Sequence, residues 1–194
     1  VSRACDPGDT ARVPQPEDAG ATGAPGPLAV VVMGVSGCGK SSVGAALAAR
    51  IGARFVDADD FHPPANVAKM RAGVPLDDAD RAPWLARLNA VLRHAVAKDE
   101  SVVLACSALR ARYRDTLSDR LPAVHFVHLS GPYELIAGRL AQRQHRYMPP
   151  SLLRSQFDAL EPPVDAIVVD VAGSVEQVVD AALRGLRPAF PPPI

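Results

Sequence analysis

With 194 residues the chain is long enough for one domain with a sizeable core and short for two. Lysine plus arginine and aspartate plus glutamate number 21 each, so no net field draws the molecule to nucleic acid or to a membrane surface. Three scattered cysteines, Cys5, Cys38 and Cys106, point to reduced thiols in a cytoplasmic compartment rather than to disulfides or a zinc site, and no apolar run nears the ~20 residues that span a bilayer.

Residues 1–27 are rich in Pro, Gly, Ala and Asp and nearly free of large apolar side chains. Burial there cannot offset the entropy of ordering the backbone, so the segment reads as a flexible extension, with no basic-then-apolar signal at its start. Leu28 to Met33 is a continuous apolar run, the pattern of a strand buried on both faces. A helix is expected over Ser42–Ile51, a short strand over Arg54–Asp57 and a short helix over Pro64–Ala72. A longer helix begins near Asp80, with Pro83 in its first turn and Leu85, Leu88, Val91, Leu92, Ala95 and Val96 as its apolar stripe.

Val102–Cys106 reads as a second buried strand, followed by a helix near Leu109–Leu117 and a strand at Val124–Leu129. Helices over Tyr133–Gln144 and Ser151–Leu160 precede the strand Ala166–Asp170. The last helix opens on a capping box, Ser174 to Gln177, and carries the cleanest apolar stripe of the chain. A Pro-rich tail, 188–194, closes the sequence. Strands alternating with helices predict an α/β fold, a parallel sheet covered on both faces, over 28–187.

The first strand runs into Gly34-Val-Ser-Gly-Cys-Gly-Lys-Ser41, which fits G-x-x-x-x-G-K-[ST] and opens a helix. Such a loop turns consecutive N–H groups inward as an anion nest beside the positive end of the helix. Gly34, Val35, Ser36, Gly37, Cys38, Gly39, Lys40, Ser41 and Ser42 are therefore expected to bind ATP. Lys40 can reach the β- and γ-phosphates and the Ser41 hydroxyl can ligate Mg²⁺. Cys38 occupies a backbone-contributing position and reads as tolerated. No Asn-Lys-x-Asp base-reading motif is present, which argues against a GTPase switch, although a nucleotide-dependent binding module is a separate class to test.

The stretch after the second strand, DADDFHPPANVAKM (57–70), lies at the sheet edge where α/β ligands gather. Asp59, ahead of Asp60 and Asp57, suits a base for a substrate hydroxyl or a water-mediated Mg²⁺ contact; Asp60 suits a helix cap. His62, Asn66 and Lys69 offer the donors that a polyol or sugar acid needs, and Arg110 is the first choice for contacting the acceptor, ahead of Lys69, Arg71, Arg81 and Arg114. Trp84 reads as a packing anchor. His125 and His128, three apart on a strand, face opposite sides and cannot share a metal.

The blocks MGVSGCGKSSVG, DADDFHPPANVAKMRAGVPLDDADRAPWL, CSALRARYRD and SQFDALEPP together resemble the gluconokinases among the P-loop small-molecule kinases. The likeness runs from about Leu28 to Leu186, and the block from Asp57 to Leu85 is not shared with shikimate or adenylate kinases. It implies ATP- and Mg²⁺-dependent phosphorylation of D-gluconate at the 6-hydroxyl, a nucleoside-monophosphate-kinase-like sheet ordered 2-3-1-4-5, a mobile lid and a homodimer. Arg139 and Arg143 share a helix face ahead of QHRYMPP and would serve such a lid as catalytic cations. The chain departs from the family in placing Arg146 where a His is usual.

Overall fold

The computed structural model describes residues 26–142 and 151–187. Five parallel strands, β1 (Ala29–Met33), β2 (Arg54–Asp57), β3 (Val102–Ala105), β4 (His125–Ser130) and β5 (Ile167–Asp170), form one sheet in the order β2-β3-β1-β4-β5. This is the order the family resemblance implied. β1 is central because its residues are apolar on both faces: Val30, Val31, Val32 and Met33 have no exposed surface. Register pairs Val31 with Leu104 on one side and with Phe126 on the other.

The helices α1 (Lys40–Ile51), α2 (Pro64–Arg71), α3 (Asp78–Ala97), α4 (Ala111–Ser118), α5 (Tyr133–Ala141), α6 (Ser151–Ala159) and α7 (Val175–Leu186) cover the two faces. One core gathers Val30, Val32, Leu47, Leu129, Ile136, Val179 and Leu186; the other gathers Val31, Met33, Trp84, Leu88, Leu92, Leu104 and Leu117. The alternation of Val30 and Val32 against Val31 and Met33 is the two-residue period of a strand feeding both layers. The capping box of α7 forms as expected, Ser174 Oγ accepting from Gln177 N–H and Gln177 Oε1 from Ser174 N–H.

Two local expectations change. α3 starts earlier than Asp80, because Asp77 and Asp80 cap it reciprocally: Asp77 Oδ1 accepts from Asp80 N–H and Asp80 Oδ2 from Asp77 N–H. Pro83 consequently lies inside the helix rather than in its first turn. The cap expected of Asp60 falls to Asp57, which accepts from Asp59 N–H and opens a 3₁₀ turn over Ala58–Phe61; Asp60 stays exposed, and α2 instead begins on Pro64 at N1, where the missing N–H costs no helical bond. The extension up to residue 25, the tail from 188, and the 143–150 segment with Arg143 and Arg146 lie outside the described residues.

Candidate active site

The connection leaving β1 runs to β2 on one side and the one leaving its neighbour β4 runs to β5 on the other, so a crevice opens at their carboxyl ends. The 34–41 loop fills that position. Gly34, Gly37 and Gly39 all take positive φ, and at Gly37 (φ 83°) a Cβ would stand 2.5 Å from Leu140 Cγ, so only glycine admits the turn against α5. Val35 and Cys38 turn inward and are buried, leaving backbone to line the nest. Burial pushes the Cys38 thiol up despite Lys40 nearby, and pushes Cys106 up to about 12, so neither is a ready nucleophile. Lys40 Nζ donates to Val35 O at 3.0 Å, folded back over its own loop.

Beside the loop is a cavity of about 400 Å³, lined among others by Gly37, Gly39, Ser42, Arg139, Val171 and Ser174. Arg139 is half-buried in its wall and donates to Val171 O at 2.7 Å, tying α5 to the loop after β5. Of the two expected lid cations, Arg139 therefore has a described position on the nucleotide side.

The acceptor side begins one hydrogen bond away. Ser41 Oγ donates to Asp57 Oδ2 at 2.7 Å, joining the first turn of α1 to the end of β2. A hydroxyl and a carboxylate make a hard-oxygen pair at the mouth of the nest. Mg²⁺ is a hard cation that keeps several waters and takes one or two protein oxygens, the donor set that a hydroxyl and a carboxylate supply. These residues fit Mg²⁺, and Asp57 meets Ser41 where Asp59 was ranked first.

Asp59 is exposed on the 3₁₀ turn, its carboxylate 3.9 Å from His62 Nε2, a contact too long for a hydrogen bond. The His62 ring is stacked on Trp84, centroids 4.2 Å apart at 13°, and Trp84 Nε1 donates to Ala58 O at 2.8 Å. Burial, reinforced by the charge of Arg81, lowers the His62 pKa to about 4, so the ring is neutral at pH 7; its buried Nδ1 has no hydrogen-bond partner in this state. Trp84 is the anchor of this turn rather than a platform for a base.

The remaining candidates divide. Asn66 is 3% exposed and donates to Asp80 O at 2.8 Å, while Lys69 Nζ bonds both Asp80 carboxylate oxygens at 2.6 and 2.7 Å. Both were expected among the substrate contacts; in this conformation both join α2 to α3. Arg114 is also internal: it donates to the carbonyls of Ala108 and Leu109 and braces the loop between β3 and α4, where Ala108 takes φ 44°. Arg110 is the N-cap of α4, where a guanidinium, having no acceptor, makes no side-chain cap bond, and its charge is felt at Asp78. Around it, Tyr113 Oη and Arg112 hold Asp78 at 2.6 Å each and keep its carboxyl below the usual range, and Arg81 lies 5.7 Å from the Tyr113 ring centroid. The charge of Arg81 is also felt at His62.

The site thus combines a phosphate nest, a Ser–Asp pair and, beside them, an arginine-rich cluster around Asp78 and Tyr113. A model of the shikimate kinase family matches residues 36–184. Over 182 residues the chain is 46% identical to a probable gluconokinase of Rattus norvegicus, covering 83% of this chain and 98% of that one. Over 140 residues it is 50% identical to a gluconokinase of Gluconobacter oxydans, covering 72% and 78%. The chain belongs to the gluconokinase family of P-loop kinases. The fold agrees: a solved gluconokinase from Sinorhizobium meliloti superimposes with a TM-score of 0.75 at 44% identity, covering 84% of this chain and 93% of that one. The protein is a phosphotransferase, and none of its described helices is long and apolar enough to cross a membrane.

Sequence reasoning ranked Asp57 behind Asp59 and did not foresee its bond to Ser41, and it missed two residues beyond α5, Gln156 and Glu161. The last two were visible only as letters of the SQFDALEPP block.

Proposed function

We propose that the enzyme transfers the γ-phosphoryl group of ATP to the 6-hydroxyl of D-gluconate, giving 6-phospho-D-gluconate and ADP. The observation that carries the reading is the Ser41–Asp57 hydrogen bond of 2.7 Å, which joins the phosphate nest to the turn bearing Asp59 and His62, in a chain 46% identical over 182 residues to a probable gluconokinase. The hydroxyl oxygen attacks the γ-phosphorus, the bond to the β,γ-bridging oxygen breaks, ADP departs, and the hydroxyl proton passes to the Asp59 carboxylate. Lys40 leaves Val35 O to follow the charge on the phosphate oxygens. The loop N–H groups of residues 34–42 hold the α- and β-phosphates.

Mg²⁺, when bound, supplies positive charge to the β- and γ-phosphate oxygens; the Ser41 hydroxyl and, through water, Asp57 or Asp59 would hold it. Arg110 receives the gluconate carboxylate, with Arg81 beside it, and His62 offers a neutral ring nitrogen to a hydroxyl. Arg139 delivers charge to the phosphoryl group once it releases Val171 O, the movement a lid provides. Asn66 and Lys69 serve by holding α2 against α3. A cytoplasmic homodimer, with 1–27 and 188–194 as appendages of the 28–187 domain, completes the proposal, and sedimentation gives its mass.

The test is ADP release with ATP and Mg²⁺ across gluconate, shikimate and nucleoside monophosphates. Gluconate-dependent turnover is expected, with the other acceptors at least about 10²-fold weaker in kcat/KM, as for a site whose buried polar groups are left unpaired by the wrong ligand. Equal turnover of shikimate, or ADP release that ignores the acceptor, refutes it.

A further inference from the structure

The SQFDALEPP segment has no task in the reaction above, yet it touches both halves of the site. On α6, Gln156 Oε1 accepts from the backbone N–H of Ser36 at 2.7 Å, and Gln156 Nε2 donates to Ser36 Oγ at 3.3 Å. Just past α6, Glu161 Oε2 accepts from Ala111 N–H at 2.6 Å, and Glu161 N–H donates to Leu109 O at 2.9 Å. The first link closes 120 residues of chain and the second 50. One short stretch therefore fixes the backbone of the phosphate loop and the backbone on both sides of Arg110.

Both targets need an outside hold. The phosphate loop takes three positive-φ glycines, which are conformationally permissive, and α1 has no side-chain cap to pin its entry. The loop before α4 contains Ala108 in the left-handed region, a conformation that persists only where surroundings over-determine it. Arg114 binds that loop from inside through the Ala108 and Leu109 carbonyls; Glu161 closes it from outside, its carboxylate on the first free N–H of α4. The segment is also anchored independently of these bonds: Phe157 packs edge-on to Tyr133 at 5.4 Å, and the Arg154 guanidinium lies 4.2 Å from the same ring centroid.

We propose that Gln156 and Glu161 are positioning residues that set the donor loop and the acceptor arginine in register, Gln156 acting on the nucleotide through Ser36 and Glu161 on the acceptor through Arg110. The inference rests on the gluconate kinase reading for its acceptor arm only. Neither residue touches a reacting atom; each acts through the backbone it holds.

The experiment is steady-state kinetics on Gln156→Met, Glu161→Ala and Glu161→Gln, with thermal melts and nucleotide Kd measured alongside. Gln156→Met keeps the volume and helix preference but cannot accept the Ser36 N–H; it should raise the ATP KM and Kd about tenfold and leave the gluconate KM within about twofold. Glu161→Ala should do the reverse. Glu161→Gln keeps an acceptor for Ala111 N–H and should recover most of the gluconate KM. Melting temperatures should stay within about 3 °C of wild type. If both KM values move together, if only the melting temperature moves, or if nothing moves, the positioning role is wrong. Failure of wild-type gluconate turnover refutes the functional reading instead, and the nucleotide Kd of Gln156→Met then still decides the donor arm.

Discussion

The donor loop and the proposed acceptor edge share one end of the sheet but are specified in opposite ways. The loop is local: eight consecutive residues, three of them positive-φ glycines, set its path, with Ser107, Gln156 and Asp57 among the residues that bond it from afar. The acceptor edge is assembled. Asp59 and His62 come from one turn, Arg81 from α3 and Arg110 from the start of α4, and they are placed by Trp84 bonding Ala58 O, Arg114 bonding Ala108 and Leu109, and Tyr113 bonding Asp78. On the proposed function, donor chemistry is carried by a motif and acceptor choice by tertiary structure.

The sharpest contrast comes from Lys40→Ala. It should lower kcat by about 10³-fold with an unchanged melt, since it removes charge stabilisation developed in transfer and no core contact. A loss under tenfold would break the donor half of the comparison. On the acceptor side, His62 makes stability pH-dependent. Its folded pKa of about 4 lies below the ordinary 6.5, so the unfolded chain binds the extra proton between those values. The contribution is complete above pH 6.5 and is lost as pH falls to about 4, by at most ~3 kcal/mol. His62→Phe, which can still stack on Trp84, should flatten that limb of a denaturation series; an unchanged slope would assign it to other groups.

Next in size, Arg110→Ala should raise the gluconate KM by roughly 10- to 100-fold, the range of a hydrogen bond to a charged group, and leave the ATP KM alone. Sorbitol, lacking the carboxylate, should be a poor substrate of the wild type and lose less. Lys69→Ala, whose partner is Asp80, should shift the gluconate KM by less than about threefold; a shift as large as that of Arg110 would return Lys69 to the substrate. The smallest expected effect is that of Asn66→Ala, which removes a buried donor from Asp80 O and should cost ~1–2 kcal/mol, or a few degrees of melting temperature, with kinetics preserved.

The same contrast explains what could be read from the sequence. Among the described residues, the five strands and seven α-helices were legible, because buried runs such as Leu28–Met33 and stripes such as Leu85–Leu88–Leu92 follow from period alone. The start of α3 was misplaced because Asp77 and Asp80 form a box with an acid in both positions, outside the usual Ser/Thr-to-Glu/Gln pattern. The donor residues were legible because a nest needs glycines at fixed spacing. The bonds of Asn66 and Lys69 to Asp80 were not, because a polar side chain in a polar stretch looks the same whether it meets a ligand or Asp80. Gln156 bonds a residue 120 positions away, and no local pattern reports such a partner.

Asp59→Asn tests the central claim most directly, since the amide is nearly isosteric and is no base at neutral pH. The measurement pairs ATP Kd with gluconate kcat on the purified variant. The account predicts an ATP Kd within about twofold of wild type and a kcat lower by at least 10²-fold, the lower range of a lost general base. Gluconate turnover at the wild-type rate would contradict it and leave the 57–62 turn a structural loop.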